Sequence, residues 1–224
     1  MSREAPLAGP DLLDALGPER TSPEPLAAGA VVLRGFAIEP APALMRELEQ
    51  LVGASPFRHM TTPGGYRMSV AMTNCGRVGW VTDPSGYRYD ACDPLSARAW
   101  PTMPEAFRAL AVRAAEAAGF GGFEPDACLI NRYVPGARLS LHQDRDERQL
   151  SAPVVSVSLG LPAIFLVGGA RRAERPRRTR LASGDVVVWG GPARLAFHGV
   201  APLDDGSHAL TGRCRINLTF RQAL

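Results

Sequence analysis

Hydrophobic and polar positions follow different rhythms in the two halves of this chain. Ala30 to Phe36 reads as a strand, and after the Pro40/Pro42 break Leu44, Leu48, Leu51 and Val52 recur at helical spacing, which predicts an amphipathic helix over 43–52. A second helix is predicted from Pro104, a favourable first-turn residue, to about Ala118, where Gly119 stops it; Phe107, Leu110 and Ala114 form its buried stripe. Between the two helices, residues 59–90 are dense in Gly, Thr, aromatics and Arg and read as hairpins and loops around short strands.

From Ala127 the texture changes to short strands at tight spacing, predicted at 127–133, 138–142, 154–159, 163–167, 179–181, 185–189, 194–198 and 213–221. Pro135-Gly136, Gly160, Gly168-Gly169, Gly190-Gly191 and Asp205-Gly206 punctuate them. Eight short strands preceded by two helices predict a mainly β fold with flanking helices, a jelly roll or double-stranded β-helix. One catalytic domain is expected over 29–224, with its jelly-roll core at 127–224. Residues 1–28, rich in Pro, Ala and Glu, are expected to be a poorly ordered extension carrying at most a short helix at Asp11–Leu16.

Composition narrows the class only a little. A hydrophobic fraction of 46% and a charged fraction of 21% are those of an ordinary globular protein. All 25 basic residues are Arg, which reads as coding bias, and the net charge of +3 permits a nucleic-acid partner without requiring one. Cys75, Cys92, Cys128 and Cys214 show no C-x-x-C spacing, against both a structural zinc site and a disulfide framework. No apolar run approaches a membrane span and no signal peptide is apparent, so a cytoplasmic monomer is expected.

Candidate chemistry gathers at Leu139-Ser-Leu-His-Gln-Asp-Arg-Asp146. Residues i and i+2 of a strand share a face, so His142 and Asp144 can offer an imidazole and a carboxylate to one point. A second His would complete a 2-His-1-carboxylate triad, which holds iron(II) on one face and leaves the other positions open. Of the remaining histidines, His59 lies in the early loops and His208 in a polar turn. His198, expected at the end of a strand over 194–198, is the third ligand we predict.

The last strand supports this reading. Arg215, Asn217, Thr219 and Arg221 share one face, while Ile216, Leu218 and Phe220 share the other, apolar face. Two Arg aimed into a cavity need anionic partners, and a dicarboxylate would supply them in the geometry a guanidinium fork prefers. Asn131 and Tyr133, also i and i+2 on a strand, can hydrogen-bond the same ligand.

Asn131-Arg-Tyr133, Leu139-Ser-Leu-His-Gln-Asp144, Gly184-Asp-Val-Val-Val-Trp-Gly-Gly191, His198 and Cys214-Arg-Ile-Asn-Leu-Thr-Phe-Arg221 together resemble the AlkB family. So do Met68-Ser-Val-Ala-Met-Thr-Asn-Cys-Gly76, Gly79-Trp80 and Gly86-Tyr-Arg-Tyr89 upstream. The resemblance covers most of the chain beyond Val31. It implies a double-stranded β-helix using Fe(II), 2-oxoglutarate and O2. His142, Asp144 and His198 would hold iron and carry catalysis; Asn131, Tyr133, Arg215, Asn217 and Arg221 would hold 2-oxoglutarate, the two Arg taking its carboxylates.

The same resemblance implies oxidative removal of N-methyl groups from 1-methyladenine and 3-methylcytosine in DNA, single strands favoured and RNA a further substrate. Such a base must leave its stack to be reached. Trp80 and Tyr87 are expected to stack on it, Tyr89 to contact the backbone, and Asp146 to answer its positive charge; Arg88 and Arg172 complete the expected substrate contacts. The basic run Arg171 to Arg180 would meet phosphates near Arg172. Two other readings use part of the same residues: a dioxygenase acting on a protein or small molecule, and a nucleic-acid-binding jelly roll without catalysis.

Overall fold

The computed structural model describes residues 23–224. Its frame is an eight-stranded sheet, built from β1 (Glu24–Ala27), β2 (Ala30–Leu33), β3 (Arg58–Thr61), β4 (Arg67–Gly76), β7 (Ala127–Tyr133), β9 (Val154–Gly160), β12 (Val186–Trp189) and β14 (Arg215–Arg221). The order across it is β1-β2-β12-β9-β14-β7-β4-β3. A second sheet of four strands runs β11-β10-β13-β8, from β8 (Leu139–His142), β10 (Ala163–Val167), β11 (Arg177–Leu181) and β13 (His198–Val200). A separate hairpin pairs β5 (Gly79–Asp83) with β6 (Gly86–Asp90).

The large sheet has a core on each face. Helices α1 (Ala41–Ala54) and α2 (Glu105–Ala117) lay Leu44, Leu48, Leu51, Phe107, Leu110 and Ala114 against Ile130, Val157, Val188, Leu218 and Phe220. Each of those leucines, fully removed from water, contributes about 2 kcal/mol. On the other face Met72, Leu129, Tyr133, Val187 and Trp189 meet Phe165, Val167 and Val200 of the smaller sheet. The helices thus close the outer face of the sheet, and the space between the two sheets is left for the site. This is the jelly roll expected from the strand pattern.

Among the boundaries that differ from expectation, three change the picture. Glu24–Ala27 is a strand paired with β2, so the expected extension over 1–28 is shorter at its end; the helix predicted at Asp11–Leu16 lies outside the described residues. Helix α1 begins before Pro42, because a proline in the first turn gives up only a donor that has no partner there. Finally, 194–198 is not a strand. Arg194 N donates to Gly191 O and Ala196 N to Ala193 O, at 3.1 and 2.9 Å, so the chain turns and His198 opens β13 instead of closing a strand.

Candidate active site

His142 and His198 are cross-strand partners at the β8–β13 pairing. Their rings lie 4.4 Å apart between centroids. Asp144, two residues beyond the end of β8, places its carboxylate against both: His142 Nε2 is 3.7 Å from Oδ1, and His198 Nε2 is 3.7 Å from Oδ2. The three ligand atoms all lie within 4.8 Å of one another.

The second nitrogens of the two rings decide what faces inward. His142 Nδ1 lies 2.9 Å from Ser140 O, and His198 Nδ1 3.0 Å from Ala196 O. A carbonyl accepts only, so each Nδ1–H donates and each Nε2 turns a lone pair to the site. Burial holds the His198 pKa down at about 4, with the neighbouring His142 acting the same way, so this imidazole stays neutral. Burial opposes ionisation of Asp144, yet the adjacent Arg221 and the two imidazoles hold its carboxyl well below the usual range. Two imidazole nitrogens and one carboxylate form the facial donor set suited to iron(II).

The triad opens into a cavity of about 790 Å³ lined also by Asn131, Tyr133, Arg215, Asn217 and Arg221. Arg215 is 1% exposed, and only its Nη2 is engaged, donating to Ser158 Oγ at 2.9 Å. Its Nε and Nη1 have no partner among the described residues. The guanidinium lies 5.2 Å from the Tyr133 ring centroid, and burial lowers its pKa. A buried cation without an anion is costly; a carboxylate entering the cavity answers it. Asn131 Oδ1 is likewise buried without a partner. The residues present therefore fit 2-oxoglutarate.

Residues 29–221 match the model of the 2OG-Fe(II) oxygenase superfamily. The chain is 58% identical over 212 residues to the alpha-ketoglutarate-dependent dioxygenase AlkB of Escherichia coli (strain K12), covering 95% of this chain and 98% of that one. It belongs to the AlkB family. As in other AlkB-family proteins, then, iron(II) and 2-oxoglutarate (alpha-ketoglutarate) are its cofactor and co-substrate, and it is a dioxygenase. It is also similar to the solved structure of OsALKBH1, with a TM-score of 0.79 and 30% identity over 89% of this chain and 99% of that one. A further relative is the tRNA demethylase abh1 of Schizosaccharomyces pombe, 35% identical over 65% of this chain and 53% of its own length.

Within this AlkB-family site, two of the expected 2-oxoglutarate residues carry other bonds. Asn217 Nδ2 donates to Ser156 Oγ and Val157 O, at 2.8 and 2.9 Å, and its Oδ1 accepts from Thr219. Its amide is spent on bracing β14 against β9. Arg221 is committed as well: Nη2 and Nε reach Asp144 Oδ2 at 2.7 and 2.9 Å, and Nε reaches Glu147 Oε1 at 3.1 Å. Of the two arginines expected at the co-substrate, Arg221 thus already meets two acids, while it also lines the cavity. Arg215 is the one with no acidic partner among the described residues.

Trp80, Tyr87, Asp146 and Arg172 also line the cavity of this AlkB-family site. Trp80 and Tyr87 stack at 5.8 Å between centroids and 20° between planes, and Trp80 Nε1 donates to Asp146 Oδ2 at 2.9 Å. Arg88 and Tyr89, expected there too, do not line the cavity. Arg88 points to the other face of the hairpin, pairing with Asp83 at 2.9 Å and Asp90 at 3.5 Å. The Tyr89 hydroxyl donates to Glu147 Oε1 at 2.7 Å.

Sequence reasoning missed seven contributors, in three groups. Glu147 and Arg194 form a buried pair at 3.1 Å. Thr62, Tyr66, Arg67 and Ser69, around the β3–β4 turn, line the cavity mouth. Ser158 underlies Arg215. The signal for Glu147 was its place three residues past Asp144 in the same acidic run; Arg194 and Ser158 carried none.

Proposed function

We propose that the substrate of this dioxygenase is an N-alkylated nucleobase in nucleic acid, 1-methyladenine or 3-methylcytosine in single-stranded DNA foremost, with RNA also accepted. The observation that carries this is the Trp80–Tyr87 stack with Asp146 on its edge, beside the His142–Asp144–His198 cavity. Tyr87 is 51% exposed, open to a planar ring. These two lesions are cations, and an aromatic face beside a carboxylate suits a flat cation. The name of the S. pombe relative, a tRNA demethylase, supports a nucleic-acid substrate.

Iron and 2-oxoglutarate, when bound, use O2 to hydroxylate the N-alkyl carbon, so a methyl group leaves as formaldehyde with succinate and CO2 as the other products. This chain's residues do the rest. His142, Asp144 and His198 would hold the metal. Arg215 would bind a co-substrate carboxylate, with Tyr133 and Asn131 flanking it, and the Trp80–Tyr87 wall would orient the base. Arg172 at the rim would meet phosphate.

The test is formaldehyde release from a single-stranded oligonucleotide carrying 1-methyladenine, with Fe(II), 2-oxoglutarate and O2 each omitted in turn. Release that needs all three is expected. Consumption of 2-oxoglutarate without formaldehyde would assign the oxidant to another substrate.

A further inference from the structure

Glu147 is buried, and its carboxylate is held from three separate elements, by two hydrogen bonds and one ion pair. Tyr89 Oη, on β6, donates to Oε1 at 2.7 Å. Arg221 Nε, on β14, reaches the same oxygen at 3.1 Å. Arg194 Nη2, just after β12, donates to Oε2 at 3.1 Å. Both arginines also grip Asp144: Arg221 holds its carboxylate Oδ2, and Arg194 Nη1 donates to its backbone carbonyl at 2.6 Å. Two cations and two carboxylates balance, so the arginines need no further partner for neutrality. The Tyr89 bond is an addition to a complete quartet, and it comes from the hairpin that carries the base-stacking wall.

That hairpin touches the 144–147 segment twice. Trp80 donates to Asp146, and Tyr89 donates to Glu147. Trp80 and Tyr89 are directly opposite each other on β5 and β6, so the ladder ties the two contacts together. A base lying on Trp80 and Tyr87 therefore loads a two-strand unit whose far contact is the carboxylate that positions Arg221 and, through it, Asp144.

We propose that Glu147 is a positioning residue which, through the Tyr89–Glu147–Arg221–Asp144 chain, couples docking of the base-recognition hairpin to the geometry of the iron carboxylate. This rests on the substrate reading above. It predicts that the metal centre senses substrate before any chemistry occurs, and that a broken link lets 2-oxoglutarate be spent without product. A buried quartet joined by charge-assisted hydrogen bonds and the close Arg221–Glu147 ion pair suits such transmission, since each contact is short and costly to leave unmade.

The test uses the full protein and Tyr89→Phe, which removes one hydroxyl and leaves Glu147 held by both arginines, with Glu147→Gln as the second variant. The first readout is the visible charge-transfer band of the anaerobic Fe(II)–2-oxoglutarate complex, recorded before and after adding a 1-methyladenine oligonucleotide. The second is 2-oxoglutarate consumed per formaldehyde released. Wild type is expected to shift its band on adding oligonucleotide. Tyr89→Phe should form the band but lose that shift, and its consumption ratio should rise by about fivefold or more, the low end of a coupling between sites. Glu147→Gln keeps an acceptor for Tyr89 but loses the charge that holds Arg221, so its ratio should rise further.

A wild-type shift and ratio in Tyr89→Phe would overturn the proposal. So would a loss of oligonucleotide affinity with an unchanged ratio, which would make Tyr89 a binding contact alone. Failure of the substrate reading is distinguishable, because wild type itself would then neither shift its band nor release formaldehyde.

Discussion

His142 and His198 face each other across the β8–β13 ladder, and the residue after His198 is the reason the strands can close so tightly there. A Cβ on Gly199 would lie 2.6 Å from Leu139 O, a backbone atom that cannot move aside without shifting β8. Gly199→Ala should therefore pry the two histidines apart. We expect Fe(II) affinity, measured by anaerobic titration, to fall by about tenfold or more. Unchanged affinity would mean that the ladder does not set the metal geometry.

Arg215 joins two effects that usually oppose one another. Its unpaired buried charge is a cost to the unliganded fold, whereas a bound carboxylate turns it into a strong contact. Arg215→Gln should raise the KM for 2-oxoglutarate by about tenfold or more, from loss of a charged hydrogen bond of about 1.5–3 kcal/mol. The thermal midpoint of the protein without co-substrate should stay level or rise. A lowered midpoint with an unchanged KM would make Arg215 a purely structural residue.

Trp80→Ala removes the stacking wall but leaves the triad and Arg215 in place. Base stacking on an aromatic side chain contributes about 1–3 kcal/mol, so demethylation of a methylated oligonucleotide should drop by about ten- to a hundredfold. Uncoupled 2-oxoglutarate consumption should change far less. Equal losses in the two assays would show that Trp80 supports the fold of the hairpin instead of the base.

Arg172 is exposed at the cavity rim, where a phosphate contact releases counterions from the nucleic acid. Arg172→Gln should weaken oligonucleotide binding at low salt and reduce the slope of log affinity against log salt by about one. An unchanged slope would remove Arg172 from the phosphate path.

Much of the architecture is local and was legible along the chain. The stripes Leu44/Leu48/Leu51 and Phe107/Leu110/Ala114 mark α1 and α2 because helical periodicity is imposed by burial on one side. The alternation of Arg215, Asn217, Thr219 and Arg221 with Ile216, Leu218 and Phe220 likewise follows from a strand with a core on one face and a cavity on the other. His142-x-Asp144 reads as a shared face for the same geometric reason. Alternation misled at 194–198, where bonds to residues three back made a turn of what looked like a strand.

Period and residue type thus decide the class of fold, the donor set and the need for an anion near β14, since each follows from bonds and faces a few residues apart. They do not decide which cation meets which anion. Arg221 lies 77 positions from Asp144, and Tyr89 lies 58 from Glu147. Only the packing of β14 and the β5–β6 hairpin around the 144–147 segment brings Arg221 to the metal carboxylate and leaves Arg215 without an acid among the described residues. Charge pairing in a buried site is settled by which side chains desolvate together, and that depends on sheet order and register, over distances no local pattern spans.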